Sequence, residues 1–153
     1  MTNFKNQYAN SELANSLSSL LADTYVLYVK TQNCHWTVQG PNFMQFHQLF
    51  ESQYKDLALS IDETAERVRM MDQFPPASLR EFLEISQLEE ISEQLSPQEM
   101  LEALIQDHST LCKKIQDWAD QATKLGDENT HDFLIERWAW HEKTIWFLKS
   151  HKS

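Results

Sequence analysis

Glycine, proline and cysteine are scarce in this sequence of 153 residues, which contains two glycines, four prolines and two cysteines. So few turn-forming residues exclude an all-β fold, whereas the abundant Leu, Glu, Gln and Lys favour long helices. Cys34 and Cys112 are too few for a disulfide framework, and we expect both thiols to stay reduced.

Several functional motifs are also missing. No apolar run approaches the roughly 18 residues of a membrane span, and the polar residues 1–10 lack the apolar centre of a signal peptide. The sequence has no glycine-rich phosphate loop, no nucleophile elbow and no Cys-x-x-Cys pair. We therefore expect a cytoplasmic protein with no membrane partner.

The charge of the chain is acidic, with 23 acidic and 13 basic residues and a formal net charge of −10. Such a surface repels nucleic-acid phosphates and attracts cations. The charge argues against a nucleic-acid partner and, more weakly, in favour of a protein that binds or transports metal cations.

Apolar residues recur at helical spacing in four long segments, which predicts an all-α chain. The first helix is expected from about residue 11 to about residue 32, and the second lies between Gly40-Pro41 and Pro75-Pro76. The length fits one domain over residues 1–153, with a short polar segment at about residues 1–10.

Start signals predict the remaining helices. A Ser-x-x-Glu capping box at residues 78–81 indicates a short helix inside the long second connection. A second box at residues 96–99, with proline at the first helical position, begins the third long helix. That helix stops at Gly126, and Asp127 can cap the fourth. This arrangement matches a ferritin-like four-helix bundle with a short extra helix.

Two histidines and three carboxylates are the candidate chemical groups. They are His35, His47, Glu51, Asp62 and Glu66. The four on the second helix span an arc of about 100° and share one stripe. Asp62 and Glu66 are like charges one turn apart, which destabilises a helix unless a cation lies between them. Mixed carboxylate and imidazole ligands suit iron or manganese.

Each feature also has a plainer explanation. Asp62 with Glu66, taken alone, is typical of a solvated surface pair, and Arg67 and Arg69 are near enough to offset its charge. A lone His47 is more often packed or exposed than a ligand. The coincidence of so many ligand types in one segment favours a metal site.

Helix length indicates where such a site can form. Glu51 and Asp62 are eleven residues apart, which is about 16 Å along a helix, whereas metal–ligand bonds span about 2 Å. One straight helix cannot close both groups around one ion, but two antiparallel copies about a two-fold axis can. A di-iron site within one bundle needs Glu-x-x-His on each of two helices. We reject that site because the sequence has one such motif, at residues 128–131.

One segment carries a specific pattern. Residues 30–36 read Lys-Thr-Gln-Asn-Cys-His-Trp, a second histidine follows the first after twelve residues, and Asp-x-x-x-Glu begins fifteen residues later. This pattern resembles the Dps family of mini-ferritins, and the resemblance extends over nearly all of the chain. It implies a four-helix subunit in a hollow homododecamer that acts in the stress response.

The resemblance also implies a function, which is iron storage with oxidation of Fe(II), hydrogen peroxide being the expected oxidant. The ferroxidase centre is expected at the two-fold interface. One subunit supplies His35, His47 and Glu51, and its neighbour supplies Asp62 and Glu66. The position of Glu51 is commonly aspartate in the family.

Two further features follow from the resemblance. Trp36 is similar to a tryptophan of the family that intercepts radicals, although an interface anchor explains it equally well. Asp127, Asp132 and Glu136 match an acidic iron-entry pore at a three-fold axis. Helix capping by itself explains Asp127.

The chain lacks the lysine-rich tail of family members that coat DNA. Residues 1–6 contain one lysine, and the carboxyl end contributes Lys149, His151 and Lys152. Because DNA affinity grows with the number of phosphates neutralised, we expect weak or absent DNA binding. The leading hypothesis is an iron-storing ferroxidase, and the alternative is a DNA-compacting or purely structural shell.

Overall fold

The computed structural model describes the backbone of residues 4–153 and the side chains of residues 12–153. Within this part of the chain the regular structure is helical, with no strand. The helices are α1 (Phe4–Thr37), α2 (Phe43–Met70), α3 (Leu79–Ile85), α4 (Pro97–Lys124) and α5 (Glu128–Ser150). The predicted all-α bundle of four long helices, with a short extra helix between the second and third, is confirmed.

The four long helices pack as two pairs, α1 with α2 and α4 with α5, and α1 also packs against α4 and α3. Each long helix contributes fully buried leucines to one core, including Leu17, Leu57, Leu104 and Leu134. Burying each such side chain stabilises the fold by about 1.5–3 kcal/mol. Among the helices described, none combines the length and the apolar composition that a membrane crossing requires.

Helix α1 is longer than its apolar pattern predicts. It begins at Phe4 and ends at Thr37, whereas periodicity indicated residues 11–32. The carboxyl end of α1 is still part of the core, since Cys34 is fully buried, but residues 33–37 lack the regular apolar spacing from which the end of the helix was predicted.

The two predicted Ser-x-x-Glu capping signals both mark the start of a helix. At α4 the box is complete, because Ser96 Oγ accepts from the Glu99 amide and the Glu99 carboxylate accepts from the Ser96 amide. At α3 the Ser78 hydroxyl accepts from the Glu81 amide, but the Glu81 carboxylate accepts from the amide of Ala77 instead.

Two histidines that the sequence analysis did not single out lie in the core between α4 and α5. His108 and His141 are fully buried, their Nδ1 atoms are 2.7 Å apart, and neither Nε2 has a hydrogen-bond partner in the described residues. Burial, reinforced by the nearby Arg137 guanidinium, lowers the pKa of His108 to about 3. Burial also lowers the pKa of His141 well below its usual value.

We expect this histidine pair to make the fold sensitive to acid. An unfolded chain takes up protons on both imidazoles near pH 6.5, whereas the folded pair stays neutral. The free energy of unfolding therefore has its full contribution from this neutral pair above about pH 6.5, and it falls as the pH drops toward about 3. At pH 5 the loss is about 2 kcal/mol from His108, with a further loss from His141.

Urea unfolding at pH 7 and pH 5 measures this loss. The double variant His108→Leu/His141→Leu should lose much less stability between the two pH values than the wild type. The control His131→Gln, which changes a partly exposed histidine, should keep the wild-type pH dependence. An equal acid loss in the double variant and the wild type would assign the sensitivity to other groups.

Candidate metal centre

The corner between α1 and α2 brings His35 and His47 together. His35 lies near the end of α1 and His47 in the second turn of α2. Each Nδ1 contacts the backbone carbonyl oxygen of the other residue, at 2.7 Å for His35 and 2.8 Å for His47. The two rings stack with centroids 3.7 Å apart.

This exchange of hydrogen bonds determines which ring nitrogen is available. A carbonyl oxygen can only accept, so the Nδ1 atoms of both His35 and His47 must carry hydrogens and donate. In the neutral rings, each Nε2 is then left with the lone pair that binds a metal. A backbone contact of this kind fixes the tautomer and orientation of a ligating imidazole.

Local backbone conformation makes the corner possible. Gly40 has φ 103° and Asn42 has φ 66°, and these left-handed conformations suit glycine and asparagine. The rings are also held by aromatic contacts, with Tyr54 at 5.2 Å from His35 and Phe43 at 5.0 Å from His47 between ring centroids. His35 is buried, and His47 is partly exposed.

Glu51 lies one turn after His47 on α2, and its carboxylate contacts Lys55. Lys55 Nζ lies 2.7 Å from Glu51 Oε1. The hydrogen bond and charge of Lys55, followed by the weaker influence of the two histidines, lower the pKa of Glu51. Lys55 was missed in the sequence analysis, although its four-residue spacing from Glu51 was an available signal.

Asp62 and Glu66 lie further along the same helix and are exposed. Neither forms an ion pair within the described residues. Arg67 donates instead to the Thr130 hydroxyl, and Arg69 donates to a backbone carbonyl beyond the end of α2. The expected offset of the acidic pair by these two arginines does not take the form of a direct ion pair within the described residues.

Helix α2 keeps the two halves of the candidate site apart. It is continuous over Phe43–Met70, so Glu51 and Asp62 are separated by about 16 Å along its axis. In the described part of one chain, no three His, Cys, Asp or Glu side chains are grouped in a way that could hold a metal ion. A single chain brings His35 and His47 together, with Glu51 one turn after His47 along α2, and it leaves the acidic pair remote.

Trp36 follows His35 at the end of α1. Its side chain is 67 % exposed, so the indole is open to solvent or to another subunit. This exposure is compatible with both roles considered for Trp36.

The three candidate pore residues occupy different environments at the start of α5. Asp127 caps the helix by accepting from the Thr130 amide at 3.0 Å and from its hydroxyl at 2.7 Å. Arg67 Nη2 lies 3.7 Å from the same carboxylate. Asp132 and Glu136 are exposed one turn apart. The Asp127 carboxylate is thus engaged by Thr130 and Arg67, whereas the carboxylates of Asp132 and Glu136 face solvent.

Comparison with known proteins places these features in context. The ferritin-like domain family matches residues 14–152. A Bacillus anthracis protein named DNA protection during starvation protein 2 is 33% identical over 141 residues, which cover 92% of this chain and 97% of that protein.

Solved structures agree with this match. Dps from Thermosynechococcus elongatus has a TM-score of 0.92 and 31% identity, covering 95% of this chain and 93% of its own. A Dps protein from Vibrio cholerae O1, described as a member of a broad superfamily of ferritin-like diiron-carboxylate proteins, has a TM-score of 0.91 and 32% identity. That comparison covers 94% of this chain and 91% of the Vibrio chain.

Proposed function

The chain belongs to the Dps family of ferritin-like proteins, and from this premise we propose that it binds Fe(II), oxidises it and stores the ferric product. The observation that carries the proposal is the pairing of His35 with His47, which leaves two Nε2 lone pairs available near the start of α2, with Glu51 one turn after His47. Imidazole and carboxylate donors together suit iron.

We propose that each centre is shared between two chains. His47 and Glu51 are one turn apart, and so are Asp62 and Glu66. In an antiparallel pair of α2 helices, one register therefore sets His47 against the partner's Glu66 and Glu51 against the partner's Asp62. A two-fold axis repeats this arrangement, which produces two equal centres. Twelve such chains forming a hollow shell would supply the storage cavity.

The proposed chemistry needs two electrons for each peroxide. Two Fe(II) ions each give up one electron, the O–O bond of hydrogen peroxide breaks, and two protons complete two water molecules. Holding both electron donors at one site avoids one-electron reduction of peroxide, which would release hydroxyl radical. Trp36 is placed beside the ligand His35, where it could intercept a stray radical or anchor the subunit contact.

A direct assay tests the proposal. The purified oligomer, given Fe(II) and hydrogen peroxide without oxygen, should develop ferric absorbance much faster than buffer does. The variant His35→Ala/His47→Ala should reduce this rate to near the buffer value. If wild type and buffer develop absorbance at the same rate, the protein is not a peroxide-dependent ferroxidase.

Iron is proposed to enter past the exposed carboxylates Asp132 and Glu136. The variant Asp132→Asn/Glu136→Gln should slow iron uptake several-fold at low salt, because these charges attract cations toward the entrance. The difference from wild type should shrink as added salt screens the field. The rate of iron uptake at low and high ionic strength measures both effects, and equal low-salt rates would mean that iron enters elsewhere.

DNA compaction is the alternative function, and the name of the Bacillus anthracis relative supports testing it. We expect weak or absent binding at neutral pH and physiological salt, because a net charge of −10 repels the DNA phosphates. Gel-shift titration with a chelator present excludes bridging by divalent cations. Retarded DNA at sub-micromolar protein would contradict this expectation.

A further inference from the structure

We propose that Lys55 is a tethered cation that holds the Glu51 carboxylate in the metal-free centre and must leave it when Fe(II) binds. The inference rests on the proposed function, because it concerns the same centre. It assigns to Lys55 a positioning role that sets the affinity of the site for divalent metal.

The geometry of α2 places Lys55 among the candidate ligands. Its ammonium group lies 2.7 Å from Glu51 Oε1. At about 100° per residue, Lys55 lies about 80° around the helix from His47, between Asp62 and Glu66 on the same stripe. The ammonium therefore occupies the face of α2 that carries the proposed centre.

The other basic side chains of α2 are engaged elsewhere. Arg67 donates to the Thr130 hydroxyl of α5, and Arg69 donates to the carbonyl of Gln73. Of the lysine and arginine side chains on α2, Lys55 is therefore the one that pairs with a candidate ligand within the described residues.

In the proposed pair of subunits, Lys55 lies close to the two-fold axis. One turn beyond the pairing of Glu51 with the partner's Asp62, Lys55 lies opposite the partner's Ala58. Each centre then contains Glu51 and two carboxylates of the partner, all of which repel one another when no cation is present. The ammonium of Lys55 offsets part of this repulsion in the metal-free state.

Metal binding at such a centre is an exchange of one cation for another. A divalent ion that approaches Glu51 meets an ammonium already bound to the same carboxylate, and the two positive charges repel. Lys55 therefore has opposite effects on the two states. It stabilises the metal-free interface, and it weakens the first binding of metal.

Co²⁺ binding to the whole oligomer tests the inference without relying on iron oxidation. The variant Lys55→Met keeps the aliphatic stem and removes the charge, and Lys55→Gln serves as a second neutral variant. Both should bind Co²⁺ about 3- to 10-fold more tightly than wild type, measured by calorimetry and by the visible absorption of the bound ion. Without metal, both should unfold at a lower temperature than wild type.

Two control variants distinguish an error in the proposed metal centre from an error in the proposed role of Lys55. Lys143→Met removes an exposed lysine of α5 and should leave Co²⁺ affinity unchanged. If wild type binds Co²⁺ no better than His35→Ala/His47→Ala, the proposed metal centre itself is wrong. If wild type binds through these histidines but both Lys55 variants bind with equal or weaker affinity, the centre stands and the role of Lys55 is refuted.

Discussion

Mixed oligomers of two inactive variants should recover about a quarter of the wild-type rate of iron oxidation. One variant carries His35→Ala with His47→Ala, and the other carries Asp62→Ala with Glu66→Ala. Each variant by itself lacks half of every proposed centre, so each should oxidise Fe(II) at close to the buffer rate.

Random pairing at a two-fold interface explains the expected fraction. A working centre needs intact histidines, which come from a chain with Asp62→Ala and Glu66→Ala. It also needs intact carboxylates, which come from a chain with His35→Ala and His47→Ala. In an equal mixture each condition is met about half of the time, so about one centre in four is complete. A centre built within one chain would yield none, because every chain carries a defect.

The experiment co-refolds equal amounts of the two variants and measures initial Fe(II) oxidation. Native mass spectrometry of differently labelled chains first establishes that the oligomers are mixed. Separately refolded variants, combined only before the assay, provide the control without mixed interfaces. Well-mixed oligomers that stay inactive would rule out the shared centre.

The second large effect is expected from Asp62→Ala with Glu66→Ala alone. Rapid oxidation should fall by at least about a hundredfold, since even groups that only support metal ligands change metal affinity or activity by about 10- to 100-fold. Folding should be preserved or slightly improved, because both side chains are exposed and form no ion pair in the described residues. Removing their mutual repulsion favours the helix.

A matched pair on another helix provides the control. Asp117→Ala with Asp120→Ala removes two exposed like charges about one turn apart on α4. This variant should oxidise iron at the wild-type rate, and circular dichroism should show folded protein for both double variants. Wild-type kinetics in the Asp62/Glu66 variant would remove both residues from the proposed centre.

The sequence by itself determined those features that depend on neighbours along the chain. Capping boxes at residues 78–81 and 96–99 predicted helix starts because a cap is a contact between residues three apart. The stripe shared by His47 and Glu51 with the acidic pair followed from helical periodicity. The separation of the two halves of the site followed from the rise of α2, which the structure shows to be continuous. The apolar pattern was less informative about the ends of α1, because the helix continues through residues 33–37, where the regular apolar spacing has ended.

Tertiary packing decided the features that join distant residues. The carbonyl exchange between His35 and His47 needs the corner at Gly40 to close, and periodicity does not specify a side chain's partner across a corner. The Arg67 side chain points toward α5 because it donates a hydrogen bond to the Thr130 hydroxyl of that helix. The burial of His108 against His141 depended on how α4 meets α5. Spacing along a helix sets which groups share a face, but the hydrogen-bond partners of those groups depend on the helices packed beside them.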